Sequence, residues 1–196
     1  MVTRMAYAVG VLVRRYGYPV NGAAGIVGNL WAESAVLPAR IEGSAVATPM
    51  RAKDFAGVVR DFTPDEIMTR DVKLKLGPKL PGVGLAQWTS SARRANLFKH
   101  LYEGRELGTD VLFSVDAQLD YLAVELRTGY PGVYAVVSAA DVTLDAASDD
   151  IVYRFEIPGS ILSGGKKLPR DDPKVQAVFK QRRVHGHKAL AEYSAR

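Results

Sequence analysis

A carboxylate on the apolar side of a predicted helix is the first residue whose chemistry stands out. Breaks at Gly17 and Pro19 precede a helix predicted over residues 21–34, which Asn21 can cap. Spacings of three and four residues place four side chains on one helix face: Ala23, Ile26, Leu30 and Glu33. Three of the four are apolar, so we expect this face to be buried and Glu33 to be costly to ionise, as a general acid requires. The alternatives are a Glu33 that leans into solvent or pairs with an arginine.

A glycine-rich turn running into a Gln-Trp pair is the second chemical feature. It occupies residues 82–89, with the sequence Gly-Val-Gly-Leu-Ala-Gln-Trp-Thr. The Gln87 amide can both donate and accept hydrogen bonds, which suits the acetamido and hydroxyl groups of a sugar. Trp88 could stack on a sugar face, although a tryptophan beside a helix start more often packs in the core.

Together these two segments resemble a known family. Ala32-Glu33-Ser34 and Gly84-Leu85-Ala86-Gln87-Trp88 look like the paired motifs of the phage tail lysozyme family, in the lysozyme and lytic transglycosylase superfamily. The Ala-Gly-Ile-Val-Gly-Asn-Leu segment from Ala24 to Leu30 also resembles the family pattern. Weaker similarity continues through residues 118–126 and 155–158 and into the arginine-rich last helix.

The resemblance implies roles for these residues. Glu33 would be the proton donor, Ser34 would orient it through a hydrogen bond, and the Gly84–Gln87 turn would line a glycan cleft. Two departures weaken the likeness to the transglycosylases. The interval between Glu33 and Gly84 is long, and no Ala-Tyr-Asn-type third motif is present.

A second catalytic carboxylate is less well defined. Glu42, Asp54 and Asp61 lie in the segment after the donor helix, and Glu42 is the best candidate because Ile41 and Gly43 place it in a turn. Each of the three could instead be a surface charge. Some superfamily members use no second carboxylate and rely on a group of the substrate or on a water held by neutral side chains.

Composition excludes several other chemistries. The 196 residues contain no cysteine, which rules out thiol catalysis, disulfides and a cysteine-based zinc site. His185 and His187 are two residues apart on a predicted helix and would point to different faces, so we expect no metal and no cofactor. No apolar run is long enough for a membrane span. Residues 1–15 form an amphipathic pattern rather than a signal peptide.

The net charge and the absence of a recognisable signal peptide together bear on the partners and location that we expect for this protein. The net charge of +5 suits an acidic bacterial wall, could suit nucleic acid, or could mean only solubility. With no signal peptide of its own, a wall enzyme would have to be carried by a phage virion tail or released through a membrane pore into the host envelope. Phage tail or endolysin domains are therefore possible partners, and nucleic acid is an unlikely one.

The remaining elements are predicted from periodicity and caps. We expect helices at Thr3–Arg15, from Thr63, from Thr89 to before Gly104, from Ser114, from Pro131 to Ala139, from Thr143 to Pro158, and from Asp172. Alternation over residues 70–79 predicts a short hairpin strand. In the Thr89 helix, the expected inner face is Ala92, Ala95, Phe98 and Leu101, with Arg93 and Arg94 exposed.

One predicted helix carries a polar stripe beside its apolar one. Val115, Leu119, Leu122 and Leu126 form the apolar stripe, and Gln118, Tyr121 and Glu125 the polar one. The polar stripe could line the cleft beside Glu33 or be a solvated flank. The resulting fold is a mainly α, lysozyme-like single domain over residues 1–196, with a small β or irregular wall on the cleft.

The sequence thus favours a peptidoglycan hydrolase, a muramidase that cuts between N-acetylmuramic acid and N-acetylglucosamine. Glu33 and Glu42 are its candidate catalytic residues, and Ser34, Gln87, Trp88, Gln118 and Tyr121 its candidate substrate-binding residues. A lytic transglycosylase with the same donor is the close alternative. A chitinase-like enzyme and a non-enzymatic basic virion or DNA-binding module are the others.

Overall fold

The computed structural model describes residues 2–74 and 77–196, which form two compact units. Unit 1 comprises Met1–Ala32 and Ala123–Arg196, and unit 2 comprises Glu33–Leu122. Every proposed site residue from Glu33 to Tyr121 belongs to unit 2. The expectation of one domain over residues 1–196 stays a prediction.

The described chain is mainly helical, as predicted. The α-helices are α1 (Arg4–Tyr16), α2 (Val20–Ser34), α3 (Pro64–Thr69), α4 (Ser91–Phe98), α5 (Val115–Gly129), α6 (Pro131–Val137), α7 (Leu144–Asp150) and α8 (Pro173–Ser194). Short 3₁₀ helices occupy Val72–Leu74, Gly108–Phe113 and Gly159–Ile161, and a π-helix, Ile151–Glu156, continues α7. None of the helices in these ranges is long and apolar enough to cross a bilayer.

Short antiparallel hairpins supply the small β component. They pair β1 (Arg51–Lys53) with β2 (Val59–Asp61), β3 (Lys79–Val83) with β4 (Trp88–Ser90), β5 (Leu101–Tyr102) with β6 (Arg105–Glu106), and β7 (Leu162–Ser163) with β8 (Lys166–Lys167). In the second hairpin Val83 pairs with Trp88, so residues 84–87 form its turn. The first hairpin lies between Glu33 and this turn along the chain, where a β wall was expected.

Several helix starts follow from their caps. The Thr3 hydroxyl accepts a hydrogen bond from the Ala6 amide, and Thr63 and Glu66 form a complete capping box at α3. An Asp172 carboxylate oxygen accepts from the Lys174 amide at α8. Asn21 differs from its predicted role. Because α2 begins at Val20, Asn21 lies inside the first turn, and its amide donates to the Val142 carbonyl at 3.1 Å.

The glycines of α2 allow close packing within unit 1. A Cβ at Gly28 would collide with the backbone of Gly186 in α8, and one at Gly25 would lie 2.8 Å from Ala147 Cβ. The buried Asn29 amide donates to the Ser148 carbonyl at 3.1 Å. Much of the Ala24–Leu30 motif therefore packs helix α2 against α7 and α8.

Two local predictions were wrong. The described residues between 70 and 78 do not form the predicted strand: Val72–Leu74 are a 3₁₀ helix, and β3 begins at Lys79. The predicted strand positions Lys75 and Leu76 lie outside the described residues. Helix α4 begins at Ser91 because residues 88–90 pair as β4. Its buried face consists of Arg94, Leu97 and Phe98, whereas Ala92, Ala95 and Leu101 are exposed.

Candidate active site

The backbone that follows helix α2, starting two residues after Glu33, is strained. The Glu33 side chain is half-buried, less enclosed than the apolar face of Ala23, Ile26 and Leu30. Ala35 and Val36 follow with φ values of 56° and 55°, a left-handed conformation that is unfavourable for a β-branched residue such as Val36. Strain of this kind persists only where surrounding contacts enforce it, and it is concentrated at functional sites.

A buried hydrogen bond joins the end of α2 to the glycine-rich turn. The Ser34 hydroxyl, only 1% exposed, donates to the Leu85 carbonyl at 2.8 Å. The two motifs, about fifty positions apart in sequence, therefore meet at this bond. This contact fixes the turn against Ser34, the residue that follows Glu33 in the chain.

The turn itself needs residues that tolerate left-handed backbone. Gly84 has φ 76° and Gln87 has φ 46°. A Cβ at Gly84 would lie 2.5 Å from Gln118 Oε1 and 3.0 Å from the Trp88 ring, so no larger residue fits without displacement. The Gln87 amide nitrogen donates to the carbonyls of Arg40 and Gly84, both at 3.0 Å. Gln87 is half-buried and is held in one orientation by these two bonds.

Gln118 supports the turn from beneath. It is fully buried, and its Oε1 accepts from the Leu85 amide at 2.8 Å. Its Nε2 donates to the carbonyls of Pro38 and Val111, at 2.8 Å and 3.0 Å. All three of these hydrogen bonds go to backbone atoms. The predicted polar stripe is therefore not a solvated flank, and Gln118 does not form an exposed wall of a cleft.

Trp88 and Tyr121 are packed against each other rather than exposed. Trp88 is 0% exposed, and its ring centroid lies 5.1 Å from that of Tyr121. The Tyr121 hydroxyl donates to the Arg93 carbonyl at 2.9 Å. In this conformation neither ring presents a free face for a sugar, which differs from the expected sugar-binding role. Both instead anchor the residues that follow the turn.

The carboxylate candidates of the loop segment are each engaged locally. Glu42 Oε2 accepts from the Gly82 amide at 2.7 Å, and the Glu42 amide donates to the Gly82 carbonyl at 2.8 Å. Asp54 Oδ1 accepts from the amides of Ala56 and Val58 inside the first hairpin. Asp61 pairs with Arg51 at 2.6 Å. Of the three, only Glu42 contacts the strand that leads into the turn.

A comparison with protein families shows to which family the chain belongs. The family model for phage tail lysozyme matches residues 3–170, which include Glu33, the turn and Gln118. The chain belongs to the phage tail lysozyme family. It is therefore a lysozyme-like domain that acts on peptidoglycan, an enzyme of the glycoside hydrolase or lytic transglycosylase type associated with phage or cell-wall breakdown. No curated protein and no solved structure matched the chain.

This member of the phage tail lysozyme family also contains a buried cation, Arg94, which was predicted to be exposed. Arg94 is 2% exposed, and its guanidinium donates to the carbonyls of Pro81 and Ile67 at 2.9 Å and 2.6 Å. Burial, reinforced by the nearby Arg70, lowers the pKa of Arg94 to about 10. Arg94 thereby ties α3 to the strand before the turn. The spacing of Arg94, Leu97 and Phe98 is the sequence signal that identifies this face.

The histidines of α8 lie in unit 1. His187 Nε2 is 3.0 Å from an Asp145 carboxylate oxygen, in an exposed pair. Across residues 2–74 and 77–196, no group of three or more His, Asp or Glu side chains is arranged to hold a metal ion.

Proposed function

We propose that this enzyme is a muramidase that cleaves the bond between N-acetylmuramic acid and N-acetylglucosamine, with Glu33 as proton donor. The observation that carries the proposal is the Ser34–Leu85 hydrogen bond, which couples the donor position to the glycine-rich turn. The family match and the left-handed backbone on both sides of that bond support it. A phage tail lysozyme or an endolysin catalytic domain is the biological setting we propose.

In the proposed reaction the Glu33 carboxyl group donates its proton to the glycosidic oxygen as the bond to the anomeric carbon breaks. The developing positive charge on the sugar ring is then quenched by water, and the proton is restored to Glu33. Gln87, held at its amide nitrogen, would accept a hydrogen bond at Oε1 from a sugar N–H or O–H. Ser34, Gln118, Trp88 and Tyr121 would act by keeping this constellation in place.

The contacts of Glu42 favour a positioning role over direct attack on the sugar. One of its carboxylate oxygens already accepts from the Gly82 amide, and Arg70 donates to its main-chain carbonyl at 3.4 Å. A mechanism with one essential carboxylate, in which the substrate or a held water completes the reaction, is therefore the form we propose. Its alternative is a second carboxylate that acts as base or nucleophile, with Glu42 in that role.

Glu42→Gln separates these two mechanisms. Glutamine retains an oxygen that accepts from the Gly82 amide, so we expect cleavage of peptidoglycan to fall by less than about tenfold. A second essential carboxylate would instead make the loss at least about a hundredfold. Initial rates on purified peptidoglycan, with melting temperatures to confirm folding, distinguish the two outcomes.

The released fragments test the proposed function itself. Digestion of purified peptidoglycan, with mass spectrometry of the products, should yield fragments that end in reducing N-acetylmuramic acid. Ends of the 1,6-anhydro type would make the enzyme a lytic transglycosylase, which transfers the glycosyl group to the muramic acid's own hydroxyl. Cleavage of chitin oligomers as fast as peptidoglycan would point to a chitinase-like enzyme. No cleavage of either polymer would overturn the proposal.

A further inference from the structure

The positive charge of the chain is concentrated in one segment of unit 1. Residues 158–188 contain eight lysines and arginines and two aspartates, a formal net charge of +6, so the other 165 residues together carry −1. The hairpin β7–β8 and most of α8 lie in this segment. The family match ends at residue 170, so α8 lies outside the matched residues. The features that identify the family therefore do not account for much of this charge.

Two aromatic rings gather cations from the hairpin and from α8. Lys167 Nζ and the Arg170 guanidinium each lie 4.9 Å from the centroid of the Tyr153 ring. The Arg170 guanidinium is also 5.1 Å from the centroid of the Phe179 ring, and the Arg183 guanidinium is 5.9 Å from it. Because the centroids of the two rings are only 6.1 Å apart, these three cations are neighbours in space.

A fourth cation extends this group along α8. Gln176 Nε2 donates to the Arg170 carbonyl at 2.6 Å, and Lys180 lies one helical turn further along the same face. Arg183 follows Lys180 at the next turn. We call the four residues the basic surface: Lys167, Arg170, Lys180 and Arg183.

Carboxylates neutralise only part of the basic surface. Those that pair with its arginines all belong to α7: Asp145, Asp149 and Asp150. Lys167 and Lys180 are exposed, and in the described part of the chain neither of them takes part in an ion pair. The two lysines can therefore bind an anion from solution.

The layout of the basic surface favours a linear polyanion. Its cations follow one another from the hairpin through a loop to successive turns of α8, which suits charges that repeat along a chain. Phe179 is buried and Tyr153 is covered by two of the cations, so neither ring is free to stack on a nucleobase. Gly164 and Gly165 form the turn of the hairpin, so its tip carries no apolar side chain to enter a lipid layer.

We propose that the basic surface binds a phosphodiester polymer of the bacterial wall, of the poly(glycerol phosphate) kind. The ammonium groups of Lys167 and Lys180 bind phosphates as point charges, and the partly exposed Arg170 adds a planar fork of donors. The choice of a wall polymer rests on the proposed function, which places the enzyme at peptidoglycan. Such binding would retain the enzyme at the wall through a polymer that it does not cleave.

The test is the binding of fluorescently labelled poly(glycerol phosphate) to the full chain, followed by anisotropy as the salt concentration rises. Binding should weaken with salt, and Lys167→Glu/Lys180→Glu should bind at least about tenfold more weakly than wild type, because two attractions become repulsions. Lys73→Glu/Lys99→Glu is the matched control, since it makes the same change in net charge at two exposed lysines of unit 2 and should bind like wild type. Equal losses in the two variants would mean that net charge alone governs binding, and would overturn the inference.

Two further outcomes decide whether the wall polymer is the right partner. Wild type that binds random-sequence duplex DNA but not poly(glycerol phosphate) would assign the basic surface to nucleic acid and overturn the inference. Co-sedimentation with walls that carry the polymer should fall when acid extraction removes it. Equal retention on intact and extracted walls would also contradict the proposal.

Cleavage assays keep this inference separate from the proposed function. Lys167→Glu/Lys180→Glu should cleave purified peptidoglycan that lacks the polymer at the wild-type rate. If wild type binds the polymer yet cleaves no peptidoglycan, the muramidase proposal fails and the assignment of the basic surface stands. If peptidoglycan is cleaved and the polymer does not bind, the reverse holds.

Discussion

Glu33→Gln is expected to reduce the rate of peptidoglycan cleavage by at least about a hundredfold. The substitution preserves the size of the side chain and its capacity for hydrogen bonding. It removes the acidic proton that the leaving glycosidic oxygen must receive. A hundredfold loss corresponds to about 2.7 kcal/mol of transition-state stabilisation, which is ordinary for a general acid.

The measurement is the initial rate of reducing-end release from purified peptidoglycan, with wild type and variant at equal concentration. Co-sedimentation with insoluble peptidoglycan should show that Glu33→Gln still binds substrate, which assigns the defect to the chemical step. Glu42→Gln is the matched control, since it makes the same change in unit 2 and should lose less than about tenfold. Cleavage by Glu33→Gln at the wild-type rate would remove Glu33 from the mechanism.

The helices were predictable where the signal is local. Thr3, Thr63 and Asp172 cap the helices that the sequence assigns to them, because a cap involves only residues two or three positions apart. The buried positions Leu119, Leu122 and Leu126 of α5 followed from the same short-range periodicity.

Helix α4 shows why local patterns can also mislead. Alanines at positions 92 and 95 resemble a buried face, but pairing of residues 88–90 with β3 sets where the helix begins and which side is covered. The inner face then includes Arg94, whose charge argued against burial. The carbonyls of Pro81 and Ile67 accept hydrogen bonds from the buried Arg94 guanidinium and so offset the cost of burying its charge. Sequence periodicity does not reveal these acceptors.

The sequence allowed the two motifs of the candidate site to be predicted, but not the contacts that join them. Glu33 and the Gly84–Gln87 turn could be recognised from the sequence as a pair of motifs, and each is a weak signal alone. The Ser34–Leu85 bond that joins them and the Gln118 amide that supports them depend on tertiary structure. The left-handed backbone at Ala35 and Val36 has no sequence signature, because such residues normally avoid that conformation.

Burial also changes how the polar residues near the site are understood. Side chains suited to sugar binding, Gln118, Trp88 and Tyr121, are used here to hold backbone or to pack. A hydrogen-bonding side chain beside a catalytic motif therefore has two possible uses, and burial distinguishes them. This distinction makes Gln118 the most informative of these residues for mutation.

Gln118→Leu is expected to lower the free energy of unfolding by about 3 kcal/mol. Leucine fills a similar volume but leaves the Leu85 amide and the Pro38 carbonyl without the Gln118 partner, whereas the Val111 carbonyl still accepts from the Ser114 amide at 3.2 Å. Each orphaned buried group costs about 1–3 kcal/mol, and the gain from burying leucine offsets part of the sum. Urea unfolding of wild type and variant measures the difference directly.

Gln181→Leu on the exposed surface of α8 is the matched control, and its effect should remain within about 0.5 kcal/mol. Because Gln118 holds the turn that Ser34 also contacts, we further expect Gln118→Leu to lose cleavage activity at temperatures where it is still folded. A variant as stable and as active as wild type would mean that the turn keeps its conformation without this amide. A variant that is destabilised yet fully active when folded would mean that Gln118 serves the fold alone, and that Ser34 suffices to hold the turn beside Glu33.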